Sequence, residues 1–200
     1  MKHKRSSIRL KGYDYSQTGV YYVTICVQDR LHLFGEITND KMVLNDAGVM
    51  VEKWWSKFPE KFPTIMLDEY IIMPNHMHGI IIIKQPPDVG ADPRVCPDNM
   101  GEHTGSPLHR VMQWFKTMTT NEYIRNVKNA NWKPFNKRFW QRNYYEHIVR
   151  NENELNHIRE YIINNPLQWQ FDRENPNHIY DKTNNTNWNQ IDEIIYGKPT

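Results

Sequence analysis

His76 and His78 stand two residues apart in the run His76-Met77-His78-Gly79. On an extended strand that spacing turns both imidazoles to one face, about 7 Å apart along the chain, and neutral imidazole is the commonest protein ligand for a metal ion. A His-x-His pair is also an ordinary feature of strands, and a second set of polar residues adds to its weight. His157, Tyr161 and Asn165 recur every four residues in 151–165 (NENELNHIREYIINN), which stacks them along one side of a helix. They border the apolar stripe of Leu155, Ile158 and Ile162, where a helix laid on a sheet offers polar groups to the sheet's rim. Asn165 can supply a third metal ligand through its carbonyl oxygen, and Tyr161 can attack a metal-oriented phosphate. That attack would leave a covalent phosphotyrosine and a free hydroxyl on the departing strand. His157 either orients Tyr161, touches the metal or phosphate, or is a plain surface polar group. Pro166 disfavours the α conformation at Asn165, so the last turn is expected to be distorted.

Other residues could carry parts of the same chemistry. Tyr123, Tyr144 and Tyr145 are rival nucleophiles, but none has a polar partner one turn away in the same arrangement. Arg9, Lys11, Lys116 and Arg142 are candidate phosphate contacts, which position a strand without reading it. His147 and Glu146 read as structural polar residues or DNA contacts, and Trp114 and Phe115 as core, with base stacking the alternative.

The elements that must position these residues follow from periodicity. Residues 20–28 (VYYVTICVQ) are β-branched and aromatic and read as a strand. After a turn-rich stretch with Thr38-Asn39-Asp40, Asn45 or Asp46 caps a helix running to about Phe58, with Val49, Trp54 and Phe58 at helical intervals. Residues 66–73 and 76–84 flank Pro74-Asn75 as a β-hairpin, whose second strand is apolar on both faces after Gly79, as in the middle of a sheet. Ser106-Pro107 starts a helix to about Arg125, with Leu108, Val111, Met112, Phe115 and Met118 on one side. Residues 139–149 read as another strand, and Asn151 caps the helix that Pro166 ends. A further short helix is expected near 190–195. The fold class is α+β: a ferredoxin-like, split β-α-β antiparallel sheet with helices on one face, plus an extra C-terminal helix bearing Tyr161.

Composition bounds the possibilities loosely. The chain has 200 residues, enough for one domain with a real core, and a formal charge of only +2. The charge is nonetheless unevenly placed: residues 1–11 carry Lys2, Lys4, Arg5, Arg9 and Lys11 and no acid. Such an arm can neutralise phosphates, or simply be a solvated terminus. The two cysteines, Cys26 and Cys96, form no C-x-x-C pair, so neither a zinc knuckle nor a disulfide framework is indicated. No apolar run follows the basic residues and the longest apolar stretch, 79–83, is far too short to span a bilayer, so a soluble cytoplasmic protein is expected.

Five segments carry a resemblance. MPNHMHGIIII, FWQRNYYEHIVRN and REYIINNP, together with GYDYSQTGVYYVTIC and VMQWFKTMTTNEYI, resemble the REP-associated tyrosine transposases. These are relatives of single-tyrosine insertion-sequence transposases within the His-hydrophobic-His (HUH) endonucleases. The likeness runs over about 9–169. It implies that His76 and His78 are the paired metal ligands, that Tyr161 is the nucleophile and that Asn165 completes the metal site. It also implies magnesium or manganese as cofactor, and single-stranded DNA carrying hairpins from repetitive extragenic palindromes as partner, in a nucleoid-associated protein. Ligand softness alone would make two imidazoles and an amide look like a zinc or manganese site. The expected division is a basic arm at 1–11, a catalytic domain at 12–171 with a flexible insertion at 85–105, and an Asn-rich tail at 172–200. Neither the insertion nor the tail inherits a role. Monomer and homodimer both stay open, since Tyr161 could complete the site of its own chain or of a partner. The rival functions are a domesticated hairpin-binding protein without strand transfer and a ferredoxin-like RNA-binding module.

Overall fold

The computed structural model describes residues 18–85 and 106–179. Arg9 and Lys11, Cys96, nearly all of the 85–105 insertion and the short helix expected near 190–195 lie outside the described residues.

Four strands form one sheet: β1 (Gly19–Cys26), β4 (Ile65–Ile72), β5 (His76–Ile83) and β6 (Tyr145–Val149). Their order is β4-β5-β1-β6, and every neighbouring pair is antiparallel. β5 lies between β4 and β1, which is why its residues after Gly79 can be apolar on both faces. Between β1 and β4 the chain adds a hairpin, β2 (Gly35–Thr38) with β3 (Lys41–Leu44), and the helices α1 (Asp46–Ser56) and α2 (Phe58–Lys61). α3 (Pro107–Asn129) joins β5 to β6, and α4 (Glu152–Asn164) follows β6 and runs into a 3-10 helix, Asn165–Phe171. Setting the hairpin aside, this is the ferredoxin-like order that the sequence suggests.

Alternation along the strands divides the core in two. Tyr21, Val23 and Ile25 of β1 and Met77, Ile81 and Ile83 of β5 face α1 and α3 and join the larger cluster with Trp55, Phe58 and Phe115. Tyr22 and Ile80 face the other way and pack under Leu155, Ile158, Tyr161 and Ile162 of α4. So α1 and α3 share one face of the sheet, and α4 covers the face that carries the histidines. Gly79 belongs to the first face: a Cβ there would lie 2.3 Å from Cζ2 of Trp55, so only glycine lets the indole rest directly on β5.

The three expected caps form. Asn45 Oδ1 accepts from the Ala47 and Gly48 N–H groups at 3.0 Å each, Ser106 Oγ from His109 N–H at 3.3 Å, and Asn151 Oδ1 from Glu154 N–H at 2.9 Å.

Three elements differ from expectation. The turn-rich stretch is itself a hairpin, with Asn39 (φ 51°) and Asp40 (φ 58°) in the left-handed region that a tight two-residue β-turn requires. Val49 is 52% exposed; the buried stripe of α1 is Ala47, Met50, Val51, Trp54 and Trp55. The last strand begins only at Tyr145, because Phe139 and Trp140 leave the sheet and plug the core instead, Trp140 keeping a single bridge to Val27.

Candidate metal centre and nucleophile

His76 and His78 open β5 and project from the face covered by α4, 0% and 1% exposed. Their Nε2 atoms face each other at 2.9 Å. Each Nδ1 is held from behind. Asn75 Nδ2 donates to the carbonyls of Glu174 (2.8 Å) and Arg30 (3.3 Å), which turns its Oδ1 toward His76 Nδ1 at 2.8 Å. A carbonyl only accepts, so His76 carries its proton on Nδ1 and presents a bare Nε2. Behind His78, Nδ1 meets Tyr22 Oη at 2.6 Å and Thr24 Oγ1 at 2.9 Å. Burial depresses both imidazoles, His76 to about 4 and His78 well below its ordinary value, so both are neutral near neutral pH.

Asp172 completes the cluster from beyond the 3-10 helix. Its Oδ2 lies 3.6 Å from His76 Nε2, too long for a hydrogen bond, and a neutral imidazole makes no ion pair with it. Burial raises the carboxyl to about 6, against hydrogen bonds from the Glu174 N–H and the Asn165 amide. His76, His78 and Asp172 offer ligand atoms within 4.8 Å of one another. Two buried oxygens at this end of α4, Asp172 Oδ2 and Asn165 Oδ1, have no hydrogen-bond partner. An orphaned buried carboxylate oxygen beside two facing imidazole nitrogens, with the Asn165 amide bonded to the same carboxyl, is what a cation would satisfy, so these residues fit a divalent metal.

Tyr161 is 4% exposed, and its ring meets the His78 ring edge-on at 5.4 Å between centroids and that of Tyr22 at 6.4 Å. The tyrosine therefore stands beside the histidine pair of its own chain. Asn165, one turn on, stays in the αR region (φ −55°, ψ −39°) despite Pro166, because the chain tightens into the 3-10 helix instead of breaking. Trp169 of that helix stacks on His76 at 6.0 Å. His157 is half-buried one turn before Tyr161, and no hydrogen bond or ring contact joins it to the pair.

The remaining candidates separate. Tyr123 lies in the larger core on the opposite face, donates to the Lys133 carbonyl at 2.8 Å and is pushed up to about 12 by burial. Tyr145 packs against the α4 cluster. Lys116 turns its ammonium onto the carbonyls of Gln141 (3.0 Å) and Asn143 (3.2 Å), and burial lowers it to about 8. Arg142 lines a groove of about 400 Å³ with Lys116, His109, Gln113 and Tyr144. His147 pairs with Glu154 at 2.7 Å and ties β6 to α4. Phe115 is core and Trp114 packs against it.

Asp172, Asn75, Tyr22 and Thr24 were not legible as site residues. Asn75 reads as a turn residue and Tyr22 and Thr24 as strand formers. Asp172 follows a helix end with no periodicity to place it.

The model of the IS200-like transposase family matches residues 102–165, which hold α3, β6 and α4 with Tyr161 and Asn165 but not the histidine pair. Residues 102–165 therefore carry the signature of the IS200-like transposases. An uncharacterized protein of Haemophilus influenzae is 40% identical over 174 residues, covering 86% of this chain and 93% of its own length. The fold is similar to that of a REP-associated tyrosine transposase solved bound to a REP hairpin, with a TM-score of 0.52 at 18% identity, over 82% of this chain and 77% of the other. Among the described residues, no helix is long and apolar enough to cross a membrane.

Proposed function

We propose that this chain is a transposase, a metal-dependent endonuclease and strand transferase of hairpin-bearing single-stranded DNA, of the REP-associated kind. The observation that carries the reading is the meeting of the Tyr161 ring with His78, whose Nε2 faces that of His76 beside two orphaned oxygens. His76, His78, Asn165 and Asp172 would hold a divalent cation, magnesium or manganese, which would supply Lewis-acid polarisation and orientation of the scissile phosphate.

The chain's own residues do the rest. Tyr161 Oη gives up its proton and forms a bond to phosphorus while the bond to the 3′-oxygen breaks. The departing strand takes up a proton as a free 3′-hydroxyl, and the other end stays linked as a 5′-phosphotyrosine. Attack by a second 3′-hydroxyl reverses the step and rejoins DNA, releasing the tyrosine. α4 keeps Tyr161 in reach through the apolar contacts of Leu155, Ile158 and Ile162. Arg142, with Arg9 and Lys11 of the basic arm, contacts phosphates along the strand, and Lys116 adds its charge to the same groove. A carboxylate among the ligands makes manganese and magnesium better fits than two imidazoles and an amide alone would suggest.

One observation favours the rival reading of a hairpin-binding protein that does not cut: both histidines are fully covered. Incubation of the protein with a hairpin-bearing oligonucleotide and Mn²⁺ decides between them. Cleavage that leaves a 3′-hydroxyl, and is lost in His76→Ala and His78→Ala, supports the endonuclease. Tight hairpin binding that survives loss of both histidines, with no cleavage in Mn²⁺, Mg²⁺ or Zn²⁺, supports the rival.

A further inference from the structure

His78 meets two hydroxyls on the side of its ring away from His76. Nδ1 is 2.6 Å from Tyr22 Oη and 2.9 Å from Thr24 Oγ1, and Thr24 Oγ1 in turn donates to Tyr22 Oη at 3.2 Å. Tyr22 and Thr24 alternate along β1 and so share the α4 face, and the β1–β5 register sets Thr24 directly opposite His78. The Tyr22 ring also stacks on the His78 ring at 5.6 Å and 19°. Neither residue is more than 3% exposed, so bulk water does not compete for these contacts.

The two histidines are backed by different chemistry. Asn75 presents a carbonyl oxygen to His76 and fixes one tautomer. A hydroxyl can donate or accept, and therefore suits either tautomer of His78. Without a cation, the 2.9 Å contact between the Nε2 atoms is satisfied when His78 carries its proton on Nε2, donates to His76 and accepts at Nδ1 from Tyr22. Ligation through Nε2 requires the other tautomer, with Nδ1–H donating to a hydroxyl oxygen.

Building on the metal-site reading above, we propose that Tyr22 and Thr24 are positioning residues for His78. Their hydroxyls let the ring proton change from Nε2 to Nδ1 when a divalent cation takes Nε2. The ring neither gains nor loses a proton overall. The hydroxyls rotate from donor to acceptor, and the imidazole plane stays clamped by the Tyr22 ring.

The test uses the full chain, with Mn²⁺ affinity by calorimetry, folding by circular dichroism and thermal melting, and tautomers by NMR of ¹⁵N-histidine-labelled protein with and without diamagnetic Cd²⁺. Tyr22→Phe combined with Thr24→Val should weaken Mn²⁺ binding about 10- to 100-fold, as loss of such outer partners does, with the circular dichroism unchanged. Tyr22→Phe combined with Thr24→Ser, which restores one hydroxyl, should recover most of the affinity. In the wild type, His78 should carry its proton on Nε2 without metal and on Nδ1 with Cd²⁺. If the Phe/Val variant binds Mn²⁺ as tightly as the wild type while His78→Ala does not bind, the positioning role is wrong and the metal site stands. Failure of the wild type to bind Mn²⁺, or binding indifferent to His78→Ala, removes both. Should the Phe/Val variant not fold, the wild-type spectrum decides, and an unprotonated Nδ1 on Cd²⁺-bound His78 overturns the proposal.

Discussion

Arg159 of α4 grips Asp68 of β4 with two arms of its guanidinium, Nε to Oδ1 at 2.9 Å and a terminal nitrogen to Oδ2 at 2.7 Å. The pair lies two residues from Tyr161 and spans from the helix to the edge strand of the sheet. With His147–Glu154 at the other end, it pins α4 over the histidine face. A planar fork on a carboxylate fixes orientation as well as distance, so the clamp sets where the tyrosine stands.

Asp68→Asn should therefore lower stability by about 1 kcal/mol, the upper range for a half-exposed pair, measured by urea unfolding at neutral pH. The guanidinium holds the Asp68 carboxyl below its ordinary 3.8. Its contribution is thus complete above that pH and disappears as the pH falls through the lower folded value. The asparagine variant should show a flatter loss of stability on acidification than the wild type. Equal acid sensitivity would mean that the clamp is not formed in solution.

Gly79→Ala tests the core rather than the site. The new methyl would meet the Trp55 ring at 2.3 Å, and that ring is wedged among Phe58, Tyr70 and Phe115. Overpacking of this kind should cost about 1–3 kcal/mol, seen as a lower midpoint with an unchanged denaturant slope.

Asp172→Ala should reduce Mn²⁺ affinity by no less than the roughly 10- to 100-fold that losing an outer partner costs, because it removes a direct ligand. Asn165→Ala should act in the same direction, and His76→Ala should abolish binding. Calorimetric titration reads all three, with thermal melting as the check on folding. Unaltered affinity in Asp172→Ala would return its carboxylate to a structural role.

Arg142 and Lys116 share a groove but should behave differently. Arg142→Ala should weaken hairpin binding and reduce the salt slope by about one counterion, with the melting temperature unchanged. Lys116→Ala strands two carbonyls, those of Gln141 and Asn143, and should lower the melting temperature as well. Fluorescence anisotropy across a salt series, beside thermal melts, separates the two.

Much of this was legible in the sequence for a local reason. His76 and His78 announce a shared strand face by spacing, and Asn45, Ser106 and Asn151 announce helix starts by residue type. Pro74-Asn75 announces the hairpin that places the pair at the start of β5. What could not be read depends on long-range placement. Asp172 lies 94 residues beyond His78 in the numbering and comes beside His76 only because the 3-10 helix folds back. Val49 fits a helical stripe as well as Met50 does until α3 shows which side is inward. Phe139 and Trp140 suit a strand by propensity, but a core vacancy beneath α3 claims them.

The proposed mechanism turns on attack by Tyr161 on phosphorus beside His76 and His78. The most direct measurement is denaturing electrophoresis of the full chain after reaction with a labelled hairpin-bearing single strand in Mn²⁺, followed by peptide mass spectrometry of the shifted band. A covalent adduct mapped to Tyr161 is expected, absent from Tyr161→Phe, while that variant still binds Mn²⁺ and the hairpin. An adduct that persists in Tyr161→Phe, or one mapped to Tyr22 or Tyr145, would contradict it.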